Sequence, residues 1–242
     1  EILNTNNPSR RISLFVQDEW RFHPDWLLNV GLRHDKNSDF AAVTSPRAAL
    51  IWQATPRLSL KAMTGSAYRV PNAYERFYSD GNVTQAANPN LQPEYITRSE
   101  LAAAYRFGPG GRVGGSFYRN QMRDLIDQTT NSSGLLVYGN QNRVHAQGLE
   151  VDAENQWSGG YRLRGSLAWQ HSTLENGTTL VNSPRRMGKL VFAAPLSFGW
   201  TASGEVIGLS ARQGDNGPVP GYGMANLSLS SAPVARFGQI SL

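Results

Sequence analysis

The 242-residue chain has no cysteine. That excludes a disulfide scaffold, thiolate metal sites and cysteine nucleophiles. Charged residues are only 17% of it, against roughly 25% in soluble domains. No apolar run approaches the ~18 residues of a spanning helix; the longest, such as Leu190 to Ala194, are strand-sized. The start, Glu1-Ile2-Leu3-Asn4, has no initiator methionine and no basic segment leading into an apolar one, so a piece of a longer protein without its leader is the expectation. Catalytic signatures are missing too. Gly114-Gly115-Ser116-Phe117 fails the G-x-S-x-G pattern, and none of the 4 histidines belongs to an H-E-x-x-H pair. Asp35 to Asp39 opens like a calcium loop, but Phe40 stands where the EF-hand needs glycine. The expectation is no enzyme, no cofactor and no resident metal.

Glycine (24 residues) and aromatics (10%) are well represented, which argues against disorder. Lys plus Arg exceeds Asp plus Glu by 23 to 18, a net charge of +5. These basic residues are scattered at strand ends and in loops. Lipid headgroups suit that pattern, including those of lipopolysaccharide; nucleic acid, which wants a clustered patch, does not.

Period-two alternation dominates the chain. Leu101, Ala103, Tyr105 and Phe107 alternate with polar or small residues, as do Leu149, Val151 and Ala153, and Tyr161, Leu163, Leu167 and Trp169. Strands are expected near 10–22, 26–35, 45–53, 58–69, 94–107, 112–126, 138–157, 161–172, 185–194, 198–212, 221–231 and 234–242, about 12 in all. Connections alternate between short (such as His23-Pro24-Asp25 and Ser158-Gly159-Gly160) and long, near 36–44, 70–93, 127–137, 173–184 and 213–220. An antiparallel up-and-down transmembrane β-barrel has this asymmetry. Trp20, Trp26, Trp52, Trp157 and Trp200 all lie beside short turns, as a girdle at one membrane interface would. Apolar residues then face lipid, and Glu150, Asp152, Glu154, Arg162 and Arg164 line the lumen, with Glu154 opposite Arg164. Asp18 breaks the rule: it shares parity with Leu14, Val16 and Trp20, which suggests a bulge or an interfacial position.

Several segments carry a family resemblance. They include Gln17-Asp18-Glu19-Trp20, Gly31-Leu32-Arg33-His34-Asp35, Ser45-Pro46-Arg47, Gly148-Leu149-Glu150-Val151 and Ser183-Pro184. The most specific pair frames one long loop: Tyr68-Arg69-Val70-Pro71-Asn72 with Tyr74-Glu75, and Asn88-Pro89-Asn90-Leu91-Gln92-Pro93-Glu94. In order and spacing these resemble the C-terminal part of the β-barrel of TonB-dependent outer-membrane receptors. The resemblance implies about 12 strands of a 22-stranded barrel, with the plug domain, the first strands and the final strand outside this chain. It implies uptake of a scarce nutrient (a ferric siderophore, haem or cobalamin) in the Gram-negative outer membrane, energised by the TonB complex acting through the plug. Specificity is expected in the long loops. Arg69 at the strand end, with Tyr74, Glu75, Arg76 and Tyr78 in 70–93, are the candidates for holding a metal chelate, with Asp80 and Gln85 nearby; Asn131, Tyr138 and Asn176 in the later loops come next. Two alternatives stand beside this: a passive outer-membrane pore, and a soluble β-sheet protein that binds carbohydrate or uses the Glu150-Asp152-Glu154 run as a glycosidase would.

Overall fold

The computed structural model describes residues 8–141, 143–214 and 216–231. In chain order the elements are β1 (Arg11–His23), β2 (Trp26–Asn37), β3 (Val43–Thr55), β4 (Leu58–Arg69), helix α1 (Ala73–Phe77), β5 (Gln85–Ala86), β6 (Glu94–Phe107), β7 (Gly111–Arg123), β8 (Leu125–Thr130) and β9 (Leu136–Gln141). They continue with β10 (Val144–Gln156), β11 (Arg162–Leu174), β12 (Arg186–Pro195), β13 (Thr201–Leu209), β14 (Arg212–Gly214), β15 (Gly217–Val219) and β16 (Tyr222–Ser230). Eleven of the strands form one antiparallel sheet in the order β1-β2-β3-β4-β6-β7-β10-β11-β12-β13-β16. Each sheet strand pairs with the sheet strand before and after it, which is up-and-down topology in an open, unclosed sheet. The remaining strands belong to the long connections: β5, β8 and β9 form a small sheet, and β14 pairs with β15.

The strands expected at 112–126, 138–157 and 198–212 divide differently. The run expected at 112–126 breaks at Asp124, whose φ of 57° turns the chain out of the main sheet. Residues 125–141 then form the β8–β9 hairpin, and the chain rejoins the sheet as β10 at Val144. The expectation of a loop over 127–137 missed this hairpin, because Asp127 to Ser133 are all polar and carry no period-two pattern. The run expected from 198 begins only at Thr201, after a 3-10 turn at Ser197–Gly199 in which Phe198 has φ 61°. The strand expected at 234–242 lies outside the described residues.

Cross-strand register sorts residues into two faces. On one face Leu101, Phe117, Leu149 and Trp169 form a continuous row across β6, β7, β10 and β11. Ala103, Gly115, Val151 and Leu167 form the next row toward the short turns. Among the described residues no second layer covers this face: Leu149, Leu163 and Leu167 are 45%, 41% and 51% exposed. A soluble β-sandwich would bury such residues against a facing sheet. Near the short turns, Trp20, Phe22, Trp26 and Trp52 form a chain of ring contacts, with Trp26 and Trp52 stacked at 5.0 Å and 9°.

The opposite face is polar. Glu154 does stand opposite Arg164, and the turn is closed by Trp157 N–H donating to the Tyr161 carbonyl at 3.0 Å. The ion pairs nonetheless run the other way: Arg112, on β7, reaches Asp152 at 2.7 Å and Glu154 at 3.3 Å. Farther along, Lys189 pairs with Glu205, which also accepts from Asn226. Asp18 pairs in regular register with Val30, and the β1–β2 irregularity falls between Trp20 and His23. There is therefore no bulge at Asp18, which sits exposed on the apolar face with its carboxylate accepting the Glu19 N–H.

Candidate functional site

The driest part of the described structure lies at the long-loop end, where Leu91 and Val144 are 1% and 0% exposed and Tyr118 and Ile126 are also buried. Tyr118 lies over Gly148 of the neighbouring strand, where an added Cβ would sit 2.6 Å from the hydroxyl. Arg98 stacks on the same ring at 4.5 Å.

The Tyr-Arg-Val-Pro-Asn segment builds the loop's entry. Arg69, at the end of β4, donates to Glu94 at 2.6 Å and to both Glu75 oxygens at 2.9–3.0 Å. Asn72 caps α1: its side chain accepts the Glu75 N–H at 2.9 Å, and the Glu75 carboxylate accepts the Asn72 N–H at 2.8 Å. Such a reciprocal capping box starts a helix too short to be stable alone. Arg76 points elsewhere. It donates to Asp39 at 3.1 Å and to the Pro89 carbonyl, and lies over Phe40 and Phe77.

The Asn-Pro-Asn-Leu-Gln-Pro-Glu segment ties this loop to the next one. Asn88 donates to the Tyr138 carbonyl at 2.8 Å. Asn140 accepts from the Gln92 N–H and donates to the carbonyls of Gln92 and Asp124, all at 2.8 Å. Glu94 accepts the Ile126 N–H at 2.9 Å, and β5 pairs parallel to β9. Residues 70–94 and 124–141 thus form one hydrogen-bonded unit.

That unit gathers three tyrosines. Tyr74 stacks on Tyr78 at 4.5 Å, and Tyr138 meets Tyr74 edge-on at 6.1 Å. Burial, reinforced by nearby Tyr74, Glu75 and Asp127, raises the Tyr138 phenol above its ordinary pKa. Of the residues singled out from sequence, Arg69 and Glu75 come together, as do Tyr74, Tyr78 and Tyr138. Arg76 is held apart from both groups. Asn131 and Asn176 close their own turns, accepting from Ser133 and Leu135 and from Thr178. Sequence reasoning passed over Asp39, Glu94 and Asn140 as partners. Glu94 stands in the quoted motif, but nothing local shows that its carboxylate binds a strand 32 residues away.

Asp80 organises the loop's outer turn. Its carboxylate accepts the N–H groups of Val83, Thr84 and Gln85 at 2.9–3.0 Å and the Thr84 hydroxyl. These bonds favour the charged form and hold Asp80 well below the usual carboxylate range. A lowered pKa stabilises the turn fully above the unfolded value, about 3.9, and that stabilisation is lost as pH falls below it. Hydrogen exchange at 82–85 should therefore be unchanged from pH 7 to 5 and accelerate, after correction for intrinsic rates, below about pH 4. Asp80→Asn should remove that dependence; a turn that opens identically in both proteins would show that Asp80 is not its clasp.

A family model described as "TonB dependent receptor-like, beta-barrel" matches residues 2–238. The chain is 24% identical over 200 residues to the iron-regulated outer membrane virulence protein of Vibrio cholerae serotype O1, covering 76% of this chain and 31% of the relative. It is 34% identical over 141 residues to the vitamin B12 transporter BtuB of the same species, covering 57% of this chain and 21% of the relative. The chain thus spans less than a third of the length of these curated relatives. In fold it is similar to the siderophore receptor PirA from Acinetobacter baumannii, with a TM-score of 0.78 and 18% identity over 96% of this chain and 41% of that one.

Proposed function

Because the chain belongs to the TonB-dependent receptor β-barrel family, outer-membrane proteins of Gram-negative bacteria, we propose that it forms the nutrient-binding part of a receptor for TonB-energised uptake. The cargo classes that fit are ferric siderophores, haem and cobalamin. Energy arrives through an N-terminal plug domain seated against the polar wall that includes Glu150, Asp152, Glu154, Arg162 and Arg164. Trp20, Trp26, Trp52, Trp157 and Trp200 mark the periplasmic interface of the membrane, and the long loops face outward.

One observation carries the reading: two long loops are cross-linked into a unit that presents Tyr74, Tyr78 and Tyr138 at the long-loop end. Aromatic faces suit a ligand with flat rings, a catecholate chelate or a porphyrin, at about 0.5–1.5 kcal/mol for each ring pair beyond area burial. Arg69 stands between two carboxylates, so its cluster holds excess negative charge. In this proposal Arg69 and Glu75 position the loop, Arg76 anchors it to Asp39, and the tyrosines touch the cargo.

Binding of ferric catecholates, haem and cobalamin to the complete receptor tests this. Tyr74→Ala/Tyr138→Ala should weaken the bound class about 10–100-fold, whereas Tyr74→Phe should change it little. Unchanged affinity in the double variant would remove the tyrosines from the site. Uptake that persists after the proton-motive force is collapsed would favour the passive-pore alternative.

A further inference from the structure

The loops that join β11 to β12 and β13 to β16 meet over the polar face. Gln170, on that face, donates to the Ser183 hydroxyl at 3.4 Å and to the Pro184 carbonyl at 3.0 Å. The Asn182 N–H donates to the Gln213 carbonyl at 2.8 Å, which ties the first loop to the β14–β15 hairpin. Arg186 and Ser210 bond each other twice: the Ser210 N–H donates to the Arg186 carbonyl at 2.9 Å, and the Arg186 N–H to the Ser210 hydroxyl at 3.1 Å. Those bonds bring Arg185 alongside the start of the hairpin at Arg212. Between the two loops lies a cleft of about 540 Å³, lined by Thr178, Thr179, Ser183, Arg185, Arg212 and Gln213 together with two small apolar residues.

Among the described residues no carboxylate lines this cleft. Glu175, the acid of the first loop, pairs with Arg143 at 3.7 Å. Elsewhere Arg33, Arg69, Arg76, Arg98 and Arg112 each meet a carboxylate at 2.6–3.1 Å. Arg185 and Arg212 have no such partner among the described residues, and Arg212 Nη1 is shut off from water with its hydrogens unused. Two cations side by side repel, and a buried nitrogen without an acceptor is destabilising; an anion between the two guanidinium groups relieves both. Ser183 accepts from Gln170, so its own proton is left to donate. Guanidinium and hydroxyl donors that converge from separate segments suit the tetrahedral oxygens of a phosphate, whereas one guanidinium fork satisfies a planar carboxylate. The cleft is also much larger than a phosphate ion, and threonine hydroxyls line the remaining space.

We infer that this cleft binds a phosphate monoester of a small polyhydric molecule, with the phosphate between Arg185 and Arg212 and the hydroxyls of Thr178, Thr179 and Ser183 around the organic group. It is a second site, built by other loops than those that carry Tyr74 and Tyr138. It opens over the polar face and away from acyl chains, so its ligand arrives from water. The inference is independent of which nutrient the tyrosines hold.

Calorimetric titration of the complete receptor in detergent with glucose 6-phosphate, inorganic phosphate and glucose tests this. Glucose 6-phosphate should bind about threefold more tightly than inorganic phosphate, or better, and glucose should not bind. Arg185→Gln and Arg212→Gln should each weaken glucose 6-phosphate about tenfold, Arg212→Lys less than about threefold. Saturation with the ester should slow hydrogen exchange at 178–185 and 211–214 and leave 82–92 unchanged. Folding of each variant is verified by heat-modifiable gel mobility, and Tyr74→Ala/Tyr138→Ala should bind the ester as the parent does. No binding at millimolar ester, unchanged affinity in folded Arg185→Gln/Arg212→Gln, citrate bound as tightly as the ester, or competition by lipopolysaccharide would each overturn the proposal.

Discussion

Leu167→Arg should lower the stability of the folded receptor in a bilayer by about 2–4 kcal/mol, whereas Ser166→Arg, one residue earlier, should change it by less than about 1 kcal/mol. Leu167 is 51% exposed and pairs with Val151 and Gly188, midway between the short-turn aromatics and the polar His171. A guanidinium there must enter hydrocarbon with no water or carboxylate in reach. Ser166 lies between Asp152 and Lys189 on the wet face, where a long cationic side chain stays hydrated. Propensity and backbone geometry are nearly the same at two adjacent positions of one strand, so the difference isolates facing. Urea unfolding in lipid vesicles, followed by heat-modifiable gel mobility, measures it. Equal losses at the two sites would mean that the apolar face does not meet acyl chains.

The second large effect is expected at Leu91. This side chain is 1% exposed, within the segment whose Asn88 and Gln92 bind the following loop. Leu91→Ala should destabilise the docked loops by about 2–5 kcal/mol through lost burial and the cavity left behind. The change should appear as faster hydrogen exchange in residues 82–92 and also in 125–141, because Asn140 and Glu94 bridge the two loops. Cargo affinity should fall with it, since the three tyrosines come from both loops. Acceleration confined to 82–92 would show that the loops move independently.

The contrast between Arg69 and Arg76 shows how far a motif can be read. Both were candidates for holding the ligand. Each has partners within the chain: Glu75 and Glu94 for one, Asp39 and the Pro89 carbonyl for the other. The Arg69–Glu75 contact is foreshadowed locally, because Asn72 and Glu75 have capping-box spacing. Glu94 and Asp39 come from other strands, and no local pattern announces them. Asp124 is a similar case, since one left-handed residue inside the run expected as a single strand moves the chain from one sheet to another.

Alternation of oily and polar residues, with turns short at one end and long at the other, was enough to give the eleven main-sheet strands among the described residues, their antiparallel order and the sorting of side chains into two faces. Those are properties of single strands and their nearest turns, carried by the two-residue period of extended backbone. Only the folded sheet decided that Tyr138 meets Tyr74, that Arg112 rather than Arg164 neutralises Glu154, and that Arg185 and Arg212 line one cleft. Such meetings depend on register summed over several strand pairs and on where the loops cross, and a one-residue change in either would bring different side chains together.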